Sequence, residues 1–353
     1  MRARRGRRRG GRCSAKTDAF GCCGVHHGGG RGSMSPEAAI ELQRGSGEGQ
    51  DIVIECSGAP KKGAAMAFSA CALLIWSTLA VSVVSISELS PLLTTGVGLA
   101  GGGLVGLPWV AWGKLKLRPV LVGTLAMLGY HALYFLSLKT ADPVAANLLH
   151  YLWPIFIILL SPLMLRGQRL MRKHLWAGAL GFIGAAACLG PVTSISSSAW
   201  IGFGLALLSA AIWAYYSVWS RRYPEVPTAT VSLYCLLAGM ASLVTFVVIQ
   251  FDPSKPSLGM ADLVQLLSLE QWMTLAYLAL GPLGGAFYLW DHAMKKGNPH
   301  EIAVLAYAVP VASTLFVSLF LGRGLNAATI AGAVLVTLAV AVGNRARQGN
   351  GTN

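Results

Sequence analysis

The chain has 353 residues, of which 54% are hydrophobic and only 12% are charged, and its formal net charge is +14. So few charged residues cannot coat a soluble domain of this size, so the composition excludes one and predicts a protein that lies mostly in a membrane. The seven cysteines predict no disulfide framework, because Cys71, Cys188 and Cys235 fall inside apolar segments, where cysteine is usually a small packing residue.

Residues 1–62 are predicted to form a disordered, basic cytoplasmic tail. Seven arginines fall within the first twelve residues, and Gly, Ser and polar residues follow. Such charge blocks are usually solvated, so we expect no nucleic-acid partner; an over-long start, with initiation nearer Met34, is the alternative. The spacing of the tail's Cys and His residues matches no standard zinc pattern, so no metal and no cofactor are expected. These residues are Cys13, Cys22, Cys23, His26 and His27.

Ten apolar segments of near-spanning length follow the tail, which predicts an all-α membrane protein with ten transmembrane helices. They cover 66–86, 91–112, 120–138, 143–165, 174–190, 199–219, 228–251, 271–291, 300–321 and 325–344. All acidic residues beyond residue 62 lie in loops or at segment ends. An unpaired charge in mid-span would cost at least about 3 kcal/mol, so this distribution agrees with the prediction.

The basic residues predict the orientation. Eleven Lys and Arg follow segments two, four, six and eight, whereas the alternate loops hold only Lys139, Lys255 and Arg323. Because basic loops stay in the cytoplasm, both termini are predicted to be cytoplasmic, in a multi-pass protein of the inner or plasma membrane.

Two sequence echoes predict an internal duplication. Residues 149–154 (LHYLWP) match 305–310 (LAYAVP), and Ile75-Trp76 matches Ile212-Trp213 in the same order. Segments one to five therefore correspond to six to ten, and an odd number of spans inverts the second copy in the bilayer. The predicted domains are 63–191 and 192–345, two repeats around a central cavity, followed by a cytoplasmic tail at 346–353.

Aromatic and imidazole side chains in mid-span are the candidate binding residues. Trp and Tyr usually lie at the membrane interfaces, so deep ones need another reason, and deep ionisable groups are usually functional. Bonding to a neighbouring helix is the alternative explanation. The predicted substrate-binding residues are Trp76, Tyr130, His131, Tyr134, Tyr151, Trp153, Trp213 and Tyr307.

Four residues predict breaks in the helices, with a gating role. Pro154 and Pro310 each free a carbonyl one turn earlier, and Gly281-Pro282 interrupt segment eight at its centre. A kink used only for packing is the alternative. Trp290, near the end of segment eight, is predicted to lie in the interfacial aromatic belt.

These motifs resemble a known family. Trp76-Ser77, the paired Tyr-x-x-Pro helices and residues 295–298 (KKGN) resemble the drug/metabolite transporter superfamily with two EamA-type halves. Tyr130-His131-x-x-Tyr134, Tyr151-x-Trp153-Pro154 and Trp213 resemble its aromatic amino acid exporters. The resemblance covers about residues 64–345. It implies ten helices, an aromatic-lined cavity, alternating access and export, with Tyr130, His131, Tyr134, Tyr151, Trp153 and Trp213 lining the cavity. The loop at 166–169 (RGQR) departs from many relatives, which have an acidic residue there.

The residue types themselves favour an amphiphilic substrate. Rings, hydroxyls and neutral imidazoles suit an aromatic or apolar body with a polar head. The predicted function is a non-enzymatic transporter that exports aromatic or bulky neutral amino acids or similar small metabolites. An efflux pump for other amphiphilic compounds and a non-transporting membrane scaffold remain alternatives. An intramembrane hydrolase is disfavoured because no nucleophile motif has an orienting acid, and the oligomeric state stays open.

Overall fold

A computed structural model describes residues 62–189, 199–250, 267–321 and 327–345, and within these ranges the chain is helical and has no strand. The predictions for residues 1–61 and 346–353 lie outside the described residues. The helices are α1 (Lys62–Ser77), α2 (Leu79–Ser85), α3 (Pro91–Gly106), α4 (Leu117–Thr140), α5 (Pro143–His150), α6 (Trp153–Met164), α7 (Arg172–Leu189), α8 (Ala199–Ser220), α9 (Val231–Gln250), α10 (Leu269–Leu280), α11 (Ala286–Lys296), α12 (Pro299–Leu305), α13 (Ala308–Leu321) and α14 (Ala327–Arg345).

Eight helical stretches in the described residues are long and apolar enough to cross a membrane, which confirms an all-helical membrane protein. They are Gly63–Ser85, Pro91–Trp109, Leu117–Thr140, Pro143–Met164, Ala199–Ser220, Thr228–Ile249, Leu269–Lys296 and Pro299–Phe320. The helices α7 and α14 occupy the remaining two predicted segments but are not among these eight. The count of ten spans therefore stays a prediction.

Close helix pairs organise the described bundle. The largest contacts join α3 to α9, α7 to α14, α4 to α8 and α1 to α11. Glycines make two of these pairs tight: a Cβ on Gly103 of α3 would meet the backbone N of Leu236 at 2.5 Å, and one on Gly332 of α14 would meet the carbonyl O of Gly184 at 2.5 Å. Small residues of this kind let membrane helices approach closely.

Two of the spans are broken in the same way. A turn at Tyr151 and Leu152 separates α5 from α6, and a turn at Ala306 and Tyr307 separates α12 from α13. The first halves also begin alike: the Asp142 carboxylate accepts hydrogen bonds from the backbone N–H groups of residues 144 and 145 at 3.0 Å, and the Asn298 side chain accepts one from residue 300 at 3.0 Å. A Pro follows each cap, at the position where its missing N–H costs nothing.

The third irregularity is a π turn over Gly281–Gly285, between α10 and α11. A Cβ on Gly284 would lie 1.9 Å from the carbonyl O of Ala279, so glycine is required there. The predicted interruption of segment eight is therefore present as a local widening of the helix. Such π turns often occur at functional sites.

Candidate functional site

Five large rings from α1, α6, α8 and α11 pack together, and we call them the aromatic cluster: Trp76, Trp153, Trp213, Phe287 and Trp290. Trp76 lies 5.7 Å from Trp213 and 5.4 Å from Trp290 between ring centroids, and Trp153 meets Trp290 edge-on at 5.5 Å. Trp213 and Phe287 are 5.6 Å apart. Edge and offset contacts at these separations are favourable for aromatic pairs.

Two of the four indole N–H groups in the aromatic cluster donate to partners outside it. Trp76 Nε1 donates to the carbonyl O of Pro282 in the π turn at 2.9 Å, and Trp290 Nε1 donates to Ser217 Oγ at 3.0 Å. The cluster is also closed, since Trp213 is only 4% exposed and Trp290 is 0% exposed. The rings therefore fill the centre that the sequence predicted as a cavity. A cavity of about 320 Å³ lies elsewhere, beside Gly102, Gly285 and Tyr288.

Polar side chains of α4, α5 and α8 adjoin the aromatic cluster, and we call them the polar end: Tyr130, His131, Tyr134, Asn147, His150 and Ser209. Tyr130 connects the two regions, because its ring centroid lies 5.2 Å from that of Trp213, 4.1 Å from His131 and 5.5 Å from His150. His150 also packs on Tyr134 at 4.4 Å. An apolar region and a polar region thus meet at Tyr130, and His131 also contacts Phe287 of the aromatic cluster at 6.0 Å.

Hydrogen bonds hold the polar end in place. Tyr134 Oη donates to Asn147 Oδ1 at 2.8 Å. Ser209 Oγ lies 3.1 Å from the carbonyl O of Tyr130 and 3.1 Å from His150 Nδ1. These bonds connect α4, α5 and α8, and they restrict the orientations of the rings that lie between these helices.

The structure brings together Trp76, Tyr130, His131, Tyr134, Trp153 and Trp213, six of the eight predicted binding residues. Tyr151 is half-buried and packs against the same core. Tyr307 does not join them: it lies in a separate group with Ala185 and Val336. Gly181 of α7 makes room for the Tyr307 ring, which a Cβ there would meet at 2.4 Å. The structure therefore places Tyr307 apart from the other rings, and a role in substrate binding stays a prediction for all eight residues.

Part of the site has no clear signal in the sequence. Trp290 is completely buried in the aromatic cluster, so its predicted place in an interfacial belt is wrong. Phe287 lies one helical turn earlier on the same face, a spacing that the sequence shows but that does not reveal which face is buried. Asn147 and Ser209 are of types that commonly bond to neighbouring helices in membrane proteins, so no sequence signal distinguishes them from polar residues outside the site. Across the described ranges, no three His, Cys, Asp or Glu side chains group as metal ligands would.

Comparison with known proteins gives the family. The model of the EamA-like transporter family matches the chain twice, at residues 62–189 and 200–345. A crystal structure with 32% sequence identity aligns with a TM-score of 0.73 and covers 82% of this chain and 99% of the solved one.

Several relatives have been given functional names. The aromatic amino acid exporter YddG of Ancylobacter novellus is 34% identical over 293 residues, which cover 78% of this chain and 93% of the relative. YddG of Escherichia coli K12 is 24% identical over 75% of this chain and 91% of its own length. A probable amino-acid metabolite efflux pump of Salmonella typhimurium is 24% identical over 74% of this chain and 89% of its own length.

Proposed function

The chain belongs to the EamA-like transporter family, and from that premise we propose that it exports aromatic or bulky neutral amino acids, or similar small amphiphilic metabolites, by alternating access. The observation that carries the proposal is the aromatic cluster joined to a polar end at Tyr130. Rings match an aromatic side chain, and hydroxyls and imidazoles match a polar head group. The names of the relatives agree with this substrate class.

The architecture in this proposal is ten spans in two inverted repeats, 63–191 and 192–345, with both termini in the cytoplasm. The helix pairs support it. Exchanging segments one to five with six to ten converts the pair α1–α11 into α8–α4, and it maps α3–α9 and α7–α14 onto themselves. The two broken spans exchange as well. A twofold relation between the two halves would produce this exchange of helix pairs and of broken spans. In such an arrangement the second half enters the bilayer from the opposite side.

In this proposal the packed rings are the closed form of the substrate site. Trp76 connects the cluster to the π turn through a hydrogen bond to Pro282. The turn that contains Tyr151 separates α5 from α6, and the turn that contains Tyr307 separates α12 from α13. Pro154, Pro310, Gly281 and Pro282 would then allow the half-helices to move as the site opens to one side of the membrane.

A serine beside a histidine, as in the contact of Ser209 with His150, is the arrangement expected of an intramembrane hydrolase. The directions of the hydrogen bonds at Ser209 argue against that function. A carbonyl oxygen can only accept, so the contact of Ser209 Oγ with the carbonyl O of Tyr130 uses the serine proton. His150 Nδ1 must then donate to Ser209, which is the reverse of a general base activating a nucleophile. A serine-directed fluorophosphonate should leave Ser209 unlabelled.

Transport by the purified protein in proteoliposomes tests the proposal. We expect labelled Phe and Trp to enter proteoliposomes that contain the protein faster than protein-free liposomes. Unlabelled Phe should compete with this uptake. Rates that equal those of protein-free liposomes would favour the scaffold alternative. Rapid movement of cationic drugs that Phe does not inhibit would favour an efflux pump for other compounds.

A further inference from the structure

The two imidazoles of the polar end flank the same ring, and each has one nitrogen whose role is fixed by its neighbours. His131 lies 4.1 Å and His150 lies 5.5 Å from the Tyr130 ring centroid. His131 is 4% exposed and His150 is 7% exposed, so water does not readily serve either ring.

His131 offers a lone pair that has no partner. Its Nδ1 lies 2.7 Å from the carbonyl O of Met127, and because a carbonyl can only accept, the imidazole proton is on Nδ1. Nε2 of the neutral ring is then an acceptor. This atom is buried and has no hydrogen-bond partner within the described part of the chain. A buried acceptor without a donor is costly, so the site is complete only when a donor arrives.

His150 has the same tautomer for a different reason. Ser209 gives its proton to the carbonyl O of Tyr130, so it must accept from His150 Nδ1. Nε2 of His150 therefore also carries a lone pair. Tyr134 has given its proton to Asn147, which leaves the Tyr134 oxygen as a further acceptor. The polar end thus presents acceptors to a ligand at His131 Nε2, at His150 Nε2 and at the Tyr134 oxygen.

We propose that the polar end is a head-group site that requires N–H donors, with His131 Nε2 as the main acceptor and Ser209 as a positioning residue for His150. Its ligand class is primary, secondary and tertiary ammonium groups attached to an aromatic or bulky apolar body. A quaternary ammonium, which has no N–H, is rejected. This inference rests on the proposed function, because it describes how the same site recognises the amino group of the substrate.

Recognition by ring faces alone would give a different specificity. A cation above an aromatic face is attracted by the ring quadrupole, and quaternary ammonium ions bind well in this way. The aromatic cluster by itself would therefore accept a trimethylated amine. Rejection of that ligand separates hydrogen-bond recognition from attraction to the rings.

A methylation series provides the test. Proteoliposome transport is measured for Phe and for its N-methyl, N,N-dimethyl and N,N,N-trimethyl derivatives. The dimethyl compound has nearly the bulk of the trimethyl compound but keeps one N–H, so it separates size from hydrogen bonding. We expect the first three to be transported within about threefold of each other and the trimethyl compound to be at least about tenfold slower, as for loss of a hydrogen bond to a charged group.

Variants assign the effect to His131. His131→Phe keeps a ring against Tyr130 and Phe287 but removes the acceptor, so Phe transport should fall towards the trimethyl rate and the ratio between the two should collapse to about threefold or less. His131→Gln restores an acceptor and should recover part of the ratio. Ser209→Ala should lower the ratio to an intermediate value. His174→Phe is the matched control, since His174 is a buried imidazole that stacks on His300 outside this site.

The outcomes separate this inference from the proposed function. If the wild type transports neither Phe nor its derivatives, the proposed function fails. If it transports Phe and the trimethyl compound equally, or rejects the dimethyl compound as strongly as the trimethyl one, the head-group site is overturned while aromatic amino acid transport stands. An undiminished ratio in folded His131→Phe would overturn the role of His131.

Discussion

Trp153 is the ring that most directly tests the substrate class. It is 5% exposed and makes edge contacts with Trp213 at 6.4 Å and Trp290 at 5.5 Å. If an aromatic substrate packs against Trp153 in the same way, each ring contact contributes about 0.5–1.5 kcal/mol beyond area burial. Trp153→Ala should then lower the transport of Trp relative to Leu by about fivefold or more.

The matched control is Trp200→Ala on α8. Trp200 is 72% exposed, and its ring contact is with Phe203 on the same helix. We expect this control to keep the wild-type ratio of Trp to Leu transport. An unchanged ratio in Trp153→Ala, with the protein still folded, would remove Trp153 from the substrate site.

Asp291 and Lys295 form a deeply buried ion pair. Their side chains are 1% and 7% exposed, and Lys295 Nζ lies 2.7 Å from Asp291 Oδ2. Thr228 donates to the same carboxylate oxygen at 2.8 Å, and Lys295 also donates to the carbonyl O of Val226 at 2.9 Å. This network joins α11 to the turn before α9. Removing the ammonium leaves a carboxylate buried without its counter-charge.

Lys295→Met should therefore lower the free energy of unfolding by about 3–5 kcal/mol. The double variant Asp291→Asn/Lys295→Met removes both charges and should recover most of the loss. Lys116→Met is the control, because Lys116 and Glu225 form a pair at 3.3 Å with side chains 59% and 51% exposed. It should change stability by less than about 1 kcal/mol. Denaturation in mixed detergent micelles measures all three, and equal effects of Lys295→Met and Lys116→Met would contradict the argument.

At the scale of elements, the π turn connects the helix break to the aromatic cluster. Pro282 lacks an N–H and its carbonyl O accepts from Trp76, while Gly284 fits against Ala279 only because it has no side chain. Pro282→Ala supplies the missing donor and lets α10 and α11 approach a regular helix. If the turn acts as a gate, turnover should fall several-fold while thermal stability is kept or increased.

Pro162→Ala within α6 is the control for that change, since Pro162 also lies inside a helix but in none of the breaks. It should leave turnover near the wild-type value. Transport and thermal unfolding are measured on the same preparations, so a folding defect is distinguished from a gating defect. Normal turnover in Pro282→Ala would show that the irregularity serves packing alone.

The helices were predictable because apolar runs of spanning length and caps leave clear marks in the sequence. The exact breaks were not. Pro154 and Pro310 indicate that a break is near, whereas the Asp142-Pro143 and Asn298-Pro299 caps, which repeat at the same spacing, show where the broken half begins. Their shared pattern was visible in the sequence and gives the firmer signal.

The site was predictable in its residue types and less so in its membership. Ring residues at mid-span marked Tyr130, Trp153 and Trp213 correctly as neighbours. The echo did not reveal that Tyr307 packs apart from the other rings, because a repeat conserves the position of a residue along the backbone but not the helix that packs beside it. Trp290 was assigned to the interface because its sequence position lies near a helix end, and only tertiary packing reveals that it points inward.

At the scale of the whole molecule, the predicted orientation in the membrane can be tested at the two ends of α4. This helix has 24 residues, a length of about 36 Å that exceeds a hydrocarbon core of about 30 Å. Lys114 precedes it and Lys139 lies in its last turn, and both side chains are exposed. The loop charges predict that Lys114 is cytoplasmic and Lys139 is outside, because basic residues are retained on the cytoplasmic side.

Single cysteines at these positions, in a background with the native cysteines replaced, test that placement. A membrane-impermeant maleimide added to intact cells should label Lys139→Cys and leave Lys114→Cys unlabelled until the cells are permeabilised. The reverse pattern would invert the protein and turn the proposed cytoplasmic termini outward. Labelling of both in intact cells would mean that α4 does not cross the membrane, and the inverted-repeat arrangement would then fail with it, since that arrangement requires an odd number of crossings in each half.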